Sequence, residues 1–326
     1  MKPSSRRKEA GAAILTAMLT VVLVASLASA TLWQQWRGVE VEAAERSRTQ
    51  SGWVLTGALD WARLILREDA RKGGADHLAE PWAVPLEQAR LSTFLAADRS
   101  DALAADDAME AFLSGQIIDM QSRLNIANLV QEGKINEPGQ LAFARLFALL
   151  NLPASELAAL TDRLRQAQDS TAQSSASSSA PLWPRDVDQL TWLGVSPRSI
   201  SLLRPYVTIL PVATPVNLNT AAAEVVYACI EAFEMADAHR LVRARNTSHL
   251  AALTDAARAG GNSLARFTDT QHSVTSRFFE VRGTLQVEQT TVQEQSVVQR
   301  DGLEVKTLWR RRGTVAPAQP LQSAPS

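Results

Sequence analysis

Hydrophobic residues form one long uninterrupted stretch near the start of the chain. Residues 12–32 contain no charged side chain. About 20 apolar residues in a helix are enough to cross the hydrocarbon core of a membrane, which is about 30 Å thick. Lys2, Arg6, Arg7 and Lys8 precede the stretch, and the positive-inside rule therefore places them in the cytoplasm. We expect a single membrane-spanning helix, with the bulk of the chain on the other side of the membrane.

The period of the pattern then becomes that of an amphipathic helix. Between residues 43 and 69, Trp, Leu and Ile recur at helical spacing among Arg, Glu and Asp. This pattern predicts a helix with one face to bury. Gly73 and Gly74 are expected to end it, and Pro81 and Pro85 to prevent it from resuming.

Short alternating segments predict β-strands at two separate places in the chain. Residues 86–95 and 111–120 form the first pair. Near the other end, alternation returns with Val, Thr, Phe and Gln, and Asp301-Gly302 is a turn signal between the last two strands. The strands predicted there are 277–287, 290–300 and 303–310.

Helical patterns occupy the region between these two groups of strands. Residues 125–164 predict two or three helices, with caps at Asn136 and at Pro153-Ala-Ser155. Residues 166–181 are rich in Ser and Ala and predict a flexible linker. Residues 187–258 predict short helices. The prolines expected to separate them are Pro197, Pro205, Pro211 and Pro215.

The order of elements is therefore helix, strands, helices, strands. A two-stranded sheet is unstable alone, so the early strands should join the late ones in one antiparallel sheet packed on the N-terminal helix. This predicts an α+β fold with a large all-α insertion. A long N-terminal helix on an antiparallel sheet resembles the pilin architecture.

Two modes of N-terminal processing remain open. Ala28-Ser29-Ala30 fits the A-x-A site of a removed signal peptide, which would leave a soluble, Sec-secreted periplasmic helical binding domain. Alternatively, Gly11 directly precedes the apolar stretch, which is the arrangement that prepilin peptidase recognises in type IV pilins and pseudopilins. The helix would then be retained. Trp33 and Trp36 stand where an interfacial aromatic belt is expected.

Composition and motifs argue against nucleic-acid binding and catalysis. The chain has 33 basic and 34 acidic residues, which is not the basic excess of a nucleic-acid-binding protein. Residues 217–221 and 240–245 resemble parts of a DNA-binding helix-hairpin-helix module, an alternative function, but no glycine lies between residues 230 and 240 to expose amides to a phosphate. We expect Asn217 and Asn219 to cap helices instead. The sequence contains no Gly-x-Ser-x-Gly, His-Glu-x-x-His or phosphate-loop pattern, and we expect no enzyme.

A set of short segments, in order and spacing, resembles the K-type minor pseudopilin of the type II secretion system, the general secretion pathway protein K family. The resemblance covers most of residues 8–312. Its segments are Gly11-Ala-Ala-Ile-Leu-Thr-Ala-Met-Leu19, Trp61-Ala-Arg-Leu-Ile-Leu-Arg-Glu-Asp69, Asp76-His-Leu-Ala-Glu-Pro-Trp82, Asp119-Met-Gln-Ser-Arg-Leu-Asn125 with Asn128, Val216-Asn-Leu-Asn-Thr-Ala221 and Ser276-Arg-Phe-Phe279.

The resemblance implies a structural subunit at the tip of a periplasmic pseudopilus, anchored in the inner membrane. Its implied partners are the minor pseudopilins I and J, the H pseudopilin, prepilin peptidase and inner-membrane lipid, without nucleic acid. Two small SAM-like or helix-hairpin-helix-like units are implied within the insertion. The segments are a leader (1–11), a transmembrane part (12–32), two parts of a pilin-like domain (33–124 and 271–312), the insertion (125–270, with the Ser/Ala-rich loop 166–181) and a disordered tail (313–326).

The resemblance also implies site residues. Prepilin peptidase would cut between Gly11 and Ala12. Counted from Ala12, the fifth residue is Thr16, where most pilins and pseudopilins have a Glu that pairs with the N-terminal amine of a neighbouring subunit. An unpaired charge in an apolar bundle is costly, so Thr16 fits a tip subunit. A hydroxyl that bonds its own helix backbone is the simpler alternative.

Calcium binding is implied by the family, but this sequence departs from the family at the acidic segment. The Ser/Ala-rich loop 166–181 stands in its place. The nearest carboxylates, Asp162, Asp169, Asp186 and Asp188, do not reproduce the clustering that a hard cation needs. We therefore assign no metal ligand and no cofactor. The single Cys229 lies in an apolar run, where a buried inert thiol is expected.

Overall fold

The computed structural model describes residues 6–91, 111–172, 181–287 and 290–314. The chain divides into two compact units, Met1–Thr56 and Gly57–Ser326. Helix α1, Arg6–Lys72, is continuous in sequence through the boundary between them. Within the described residues, α1 contains the one helical stretch that is long and apolar enough to cross a membrane, as the sequence predicts.

In the second unit, the last turns of α1 bury one face. Leu59, Ala62 and Leu66 pack in one hydrophobic cluster with side chains of the sheet, among them Phe279 and Val298. The predicted stop is confirmed: the Gly73 amide donates to the Asp69 carbonyl at 3.1 Å. Gly73 and Gly74 then adopt φ angles of 66° and 112°, which cost glycine nothing.

Five strands form one antiparallel sheet, and their order in the sheet is Leu86–Arg90, Ala111–Asp119, Phe278–Val287, Thr290–Asp301 and Glu304–Thr314. The early and late strands therefore share a sheet, and the expected α+β fold is confirmed. The turn at Gly302, with φ of 57°, joins the last two strands as predicted. The strands are β1 (Leu86–Arg90), β2 (Ala111–Asp119), β9 (Phe278–Val287), β10 (Thr290–Asp301) and β11 (Glu304–Thr314).

Several predicted element ends are wrong. β1 ends at Arg90 rather than 95, and the remainder of that predicted strand, from residue 92, lies outside the described residues. β11 continues to Thr314, beyond the predicted residue 310, because it pairs with β10 along its whole length. The disordered tail was predicted from residue 313, and residues 315–326 of it lie outside the described residues.

The helical insertion leaves the sheet after β2 and returns at β9, and these two strands are neighbours. Its helices pack around one large core that includes Phe143, Leu146, Leu160 and Phe233. The helices are α2 (Glu137–Leu149), α3 (Ala154–Ala172), α4 (Pro197–Leu203), α5 (Ala223–Cys229), α6 (Met235–Thr247) and α7 (Leu253–Gly260), and the 3-10 helices in the insertion are Met120–Ser122, Ile126–Asn128 and Val187–Leu193.

The sequence missed the short strand pairs of the insertion. The helical pattern of residues 125–164 is a wrong prediction at its start. Residues 125–135 contain two-residue strands and a 3-10 turn before α2 begins. The linker predicted at residues 166–181 is wrong at its start, because α3 continues through Ala172, and residues 173–180 lie outside the described residues. The short strands are β3 (Leu124–Asn125), β4 (Val130–Gln131), β5 (Lys134–Ile135), β6 (Val207–Thr208), β7 (Val216–Asn217) and β8 (His272–Ser273).

Candidate functional site

The predicted processing and assembly residues all lie on α1. Gly11 and Ala12 are helical in backbone. The Thr16 hydroxyl donates to the Ala13 carbonyl at 2.9 Å, so this polar side chain is satisfied by its own helix. Thr16 therefore adds no charge and no unsatisfied hydroxyl to the apolar segment.

The same segment exposes a continuous set of large apolar side chains. Ile14 is 61% exposed and Leu32 is 66% exposed. An apolar surface of this extent is stable only against lipid or another protein. Trp33 and Trp36, at its end, are also exposed, and the Arg37 guanidinium lies 4.2 Å from the Trp33 ring centroid. The segment is thus suited to a membrane anchor and to helix packing.

A buried polar cluster lies where the insertion meets the sheet. Asp119, at the end of β2, is its centre. Its carboxylate accepts from the Gln121 amide (2.7 Å), the Thr220 hydroxyl (2.6 Å), the Ser276 hydroxyl (2.7 Å) and the Asn217 amide group (3.1 Å). Complete burial raises the pKa of Asp119 to about 6, although these hydrogen bonds act in the opposite direction. The cluster joins a strand of the sheet to two loops of the insertion.

An ion cluster adjoins Asp119 at the end of α1. Arg300, on β10, binds the Asp69 carboxylate at 2.7 Å and both oxygens of Asp76 at 2.6 and 2.7 Å. The guanidinium also donates to the Ser276 carbonyl at 2.8 Å and lies 4.9 Å from the Phe279 ring centroid. Burial raises the pKa of both aspartates, and Arg300 opposes that rise. One cation thus links α1, its following loop and the sheet.

Three carboxylates of this ion cluster lie close together, and one guanidinium contacts two of them. Oxygens of Asp69, Asp76 and Glu80 lie within 4.8 Å of one another. The Arg300 guanidinium engages two of these carboxylates, and Glu80 accepts from the Trp82 indole at 2.8 Å. The geometry therefore gives these residues a structural role.

Two of the carboxylates nearest the Ser/Ala-rich loop, those of Asp186 and Asp188, form ion pairs. Asp186 pairs with Arg311 at 2.7 Å, and Asp188 pairs with Arg204. The carboxylate of Asp186 also caps the 3-10 helix by accepting from the Asp188 amide. Each of these two aspartates thus has a cationic partner.

The predicted helix-capping roles of Asn217 and Asn219 are wrong. Asn217 lies in β7, and its amide group donates to the Asp76 carbonyl, Asp119 and Ser276. Asn219 pairs with both backbone groups of Leu250, at 2.8 and 2.9 Å. These are contacts between segments distant in sequence, and no local sequence pattern predicts them. The ordered polar segments that carry the family resemblance are the signal that could have identified this cluster.

The turn between α5 and α6 binds the side chain of Arg145 on α2. Its carbonyls, rather than its amides, point to a common centre, where Arg145 binds the carbonyls of Tyr227, Glu231 and Phe233. One arginine side chain of α2 thus fixes this turn. The adjacent Cys229 is buried as predicted, and burial raises its pKa to about 12, so the thiol is unreactive.

Asp76 and His77 are adjacent in sequence but have different partners. Asp76 is bound by Arg300, whereas the His77 ring stacks on His249 with centroids 4.0 Å apart. The stacking joins the loop after α1 to the loop after α6. Both residues act at the junction between the sheet and the insertion.

Comparisons with known proteins agree on one similarity. Two family models, both described as Type II secretion system (T2SS), protein K, match residues 122–212 and 216–275. The chain is 26% identical over 297 residues to the type II secretion system protein K of Pseudomonas aeruginosa, covering 85% of this chain and 84% of the relative.

The fold is similar to that of a solved structure. It matches a chain in the crystal structure of the GspK-GspI-GspJ complex from the enterotoxigenic Escherichia coli type 2 secretion system, with a TM-score of 0.58 and 17% identity. The match covers 83% of this chain and 98% of that chain. At this identity the likeness concerns the fold.

Proposed function

Because this chain belongs to the type II secretion system protein K family, we propose that it forms the tip of a pseudopilus together with the minor pseudopilins I and J. It is a minor pseudopilin of type II secretion. The solved neighbour is a complex of those three kinds of subunit, which supports I and J as partners. We add the H pseudopilin as a further partner at the junction with the rest of the filament.

The observation that carries the tip position is where the insertion attaches in the second unit. The insertion joins the sheet at the end where α1 stops, since Asp69, Asp76, Asp119 and Arg300 lie together there. An insertion fixed at that end by buried charges is suited to cap a filament. Thr16 supports the same position, because it leaves no carboxylate that would need the amine of a neighbouring subunit.

We further propose how the subunit reaches its site. Prepilin peptidase cuts between Gly11 and Ala12, and the retained apolar helix holds the chain in the inner membrane with its bulk in the periplasm. The apolar side chains of α1 then exchange lipid for the helices of other pseudopilins. The exposed surface of residues 14–41 supports both environments.

The proposed role is structural rather than catalytic. The titratable groups at this junction are bound to one another or to neighbouring polar groups. They are Asp119, Asp76 and Arg300. Their arrangement supports a fixed junction between sheet and insertion. We propose no metal ligand and no nucleic-acid partner for the same site.

Reconstitution with the partner subunits tests the proposal. The full chain is co-expressed with the I and J pseudopilins of the same system and purified from membranes through a tag on J. We expect this chain to co-elute with both partners in a stoichiometric complex on size exclusion. A chain that is well folded by circular dichroism but elutes alone would contradict the proposal.

A further inference from the structure

A groove lies between the insertion and the edge strand β11. Its volume is about 710 Å³. Trp183, Pro184 and Pro211 line it on the side of the insertion, and Leu308 and Trp309 line it on the side of β11. Both indoles are only half-buried, so aromatic surface faces the groove.

The walls of this groove are held in place by side-chain contacts. Arg311, on β11, binds the carboxylate of Asp186 at 2.7 Å and the side chain of Gln295 at 2.8 Å. The same guanidinium lies 5.9 Å from the ring centroid of Trp309. These contacts tie the 3-10 helix of the insertion to the sheet, so the groove is formed in advance of any occupant.

Grooves lined by aromatic side chains bind proline-containing extended segments. Such segments adopt the polyproline II conformation before binding and therefore lose little entropy. Residues 315–326 follow β11 directly, carry no charged side chain and contain Pro317-Ala-Gln-Pro320-Leu321. The two prolines stand at the P-x-x-P spacing that such grooves recognise.

We propose that residues 315–326 of this chain occupy the groove, with Pro317 and Pro320 against Trp183 and Trp309. The segment is long enough to do so. In polyproline II conformation its twelve residues span about 37 Å, whereas Trp309 lies about 17 Å back along β11 from the last strand residue. The segment can thus reverse direction and still reach the groove. This inference does not depend on the proposed function.

Tethering makes a weak contact sufficient. A short flexible connection supplies an effective concentration in the millimolar range. The segment then covers the two indoles in the free subunit even if the separate peptide binds with a dissociation constant of about 1 mM. A covered groove removes an exposed apolar patch beside an edge strand, where other chains would otherwise add.

Amide hydrogen exchange on the full chain in detergent micelles tests the proposal. It is compared with the chain truncated after Thr314. We expect truncation to raise exchange at least threefold in residues 181–189 and 304–314. A synthetic peptide of residues 315–326, added at a few millimolar to the truncated chain, should restore the slower exchange.

Matched variants separate groove binding from general effects of the tail. Pro317→Ser combined with Pro320→Ser should reproduce the truncation, whereas Pro325→Ser should not. In the truncated chain, Leu308→Glu should abolish the response to the peptide, whereas Leu303→Glu, on the β10–β11 turn outside the groove, should preserve it.

Three results would overturn the inference. The first is amide hydrogen exchange that is equal in both groove walls with and without residues 315–326. The peptide could bind the Leu308→Glu variant as well as the truncated parent. Protection could also appear only when the I and J pseudopilins are added, which would assign the groove to a partner subunit.

Discussion

Thr16 is the residue at which the chemistry of α1 bears most directly on assembly. Its hydroxyl is satisfied by the Ala13 carbonyl, so the side chain enters an apolar helix bundle at little cost. A carboxylate at the same position would need a cationic partner, because an unpaired charge in an apolar bundle is strongly unfavourable. The residue type therefore decides which neighbours the subunit can have.

We predict that Thr16→Glu weakens assembly with the I and J pseudopilins. In the proposed tip position, the new carboxylate would have no amine of a further subunit to pair with. Co-purification through tagged J and secretion in a complemented deletion strain measure the effect, and each should fall at least tenfold. Thr16→Ser is the control and should behave as wild type. Normal assembly and secretion with Glu at position 16 would remove the charge argument for a tip subunit.

Asp119 gives a pH dependence whose sign follows from burial. Its pKa is raised from an ordinary value of 3.8 to about 6, so the folded protein holds a proton that the unfolded chain releases. The contribution of this group to stability is therefore fully present below pH 4 and is lost as pH rises through 6. Asp69 and Asp76, whose pKa values are also raised, act in the same direction.

We predict that Asp119 lowers the free energy of unfolding by up to about 3 kcal/mol between pH 4 and pH 7. Urea unfolding of the full chain in detergent, followed by tryptophan fluorescence across this pH range, measures the slope of the free energy of unfolding against pH. Asp119→Asn cannot titrate, so the variant should show a shallower slope even if it is less stable throughout. Equal slopes in variant and wild type would show that the pKa of Asp119 is not raised.

At the scale of elements, Arg300 connects pieces that the chain order separates. It lies on β10, but its partners are Asp69 at the end of α1 and Asp76 in the loop that follows. Its side chain is only 10% exposed, so water does not screen the pair as it screens surface ion pairs. One largely buried cation thus helps to hold the end of α1 on the sheet.

We predict that Arg300→Ala lowers the free energy of unfolding by about 3–5 kcal/mol, because it leaves two buried carboxylates without their cation. Arg277→Ala is the matched control. Its exposed pairing with Asp301, at 3.9 Å, should contribute less than about 1 kcal/mol. Urea unfolding at pH 7 compares the two variants. A loss at Arg300 no larger than that at Arg277 would refute a buried role for this ion cluster.

The elements that could be predicted from sequence are those in which a periodic hydrophobic pattern extends over many residues. α1 and the strands β9, β10 and β11 each repeat their pattern over many residues, so packing and local preference agree. The strand pairs β3–β6 and β7–β8 contain only two residues per strand, which is too short for any period. Their existence depends on contacts between segments about 83 and 56 residues apart, which a single sequence does not display.

The residues of the candidate site also divide into those that a linear sequence pattern predicts and those that it does not. Gly11, Ala12 and Thr16 could be named because they belong to a linear pattern at one end of an apolar stretch. Asn217 was expected to cap a helix, since Asn before a helical segment usually does. In the structure it bonds to Asp76, Asp119 and Ser276 instead. Such a role follows only from the folded arrangement of three distant segments.

At the scale of the whole molecule, one continuous chain provides both an anchor and an assembly unit. The apolar first part of α1 fits a membrane helix, and the second unit holds a large helical insertion between two adjacent strands of its sheet. The two modes of processing differ in outcome: cleavage after Gly11 would keep the apolar part of α1, whereas cleavage after Ala30 would remove it. We propose that the apolar helix is retained.

The N-terminal sequence and intact mass of the mature protein, from membrane fractions of its native host, distinguish retention of the apolar helix from its removal. We expect the mature chain to start at Ala12. Gly11→Val should leave an unprocessed precursor that does not assemble, whereas Gly38→Ala, at an exposed helical glycine with open space around it, should be processed normally. A mature chain that starts at Thr31 would show that the apolar helix is removed. Normal processing of Gly11→Val would show that Gly11 is not the residue that the peptidase recognises.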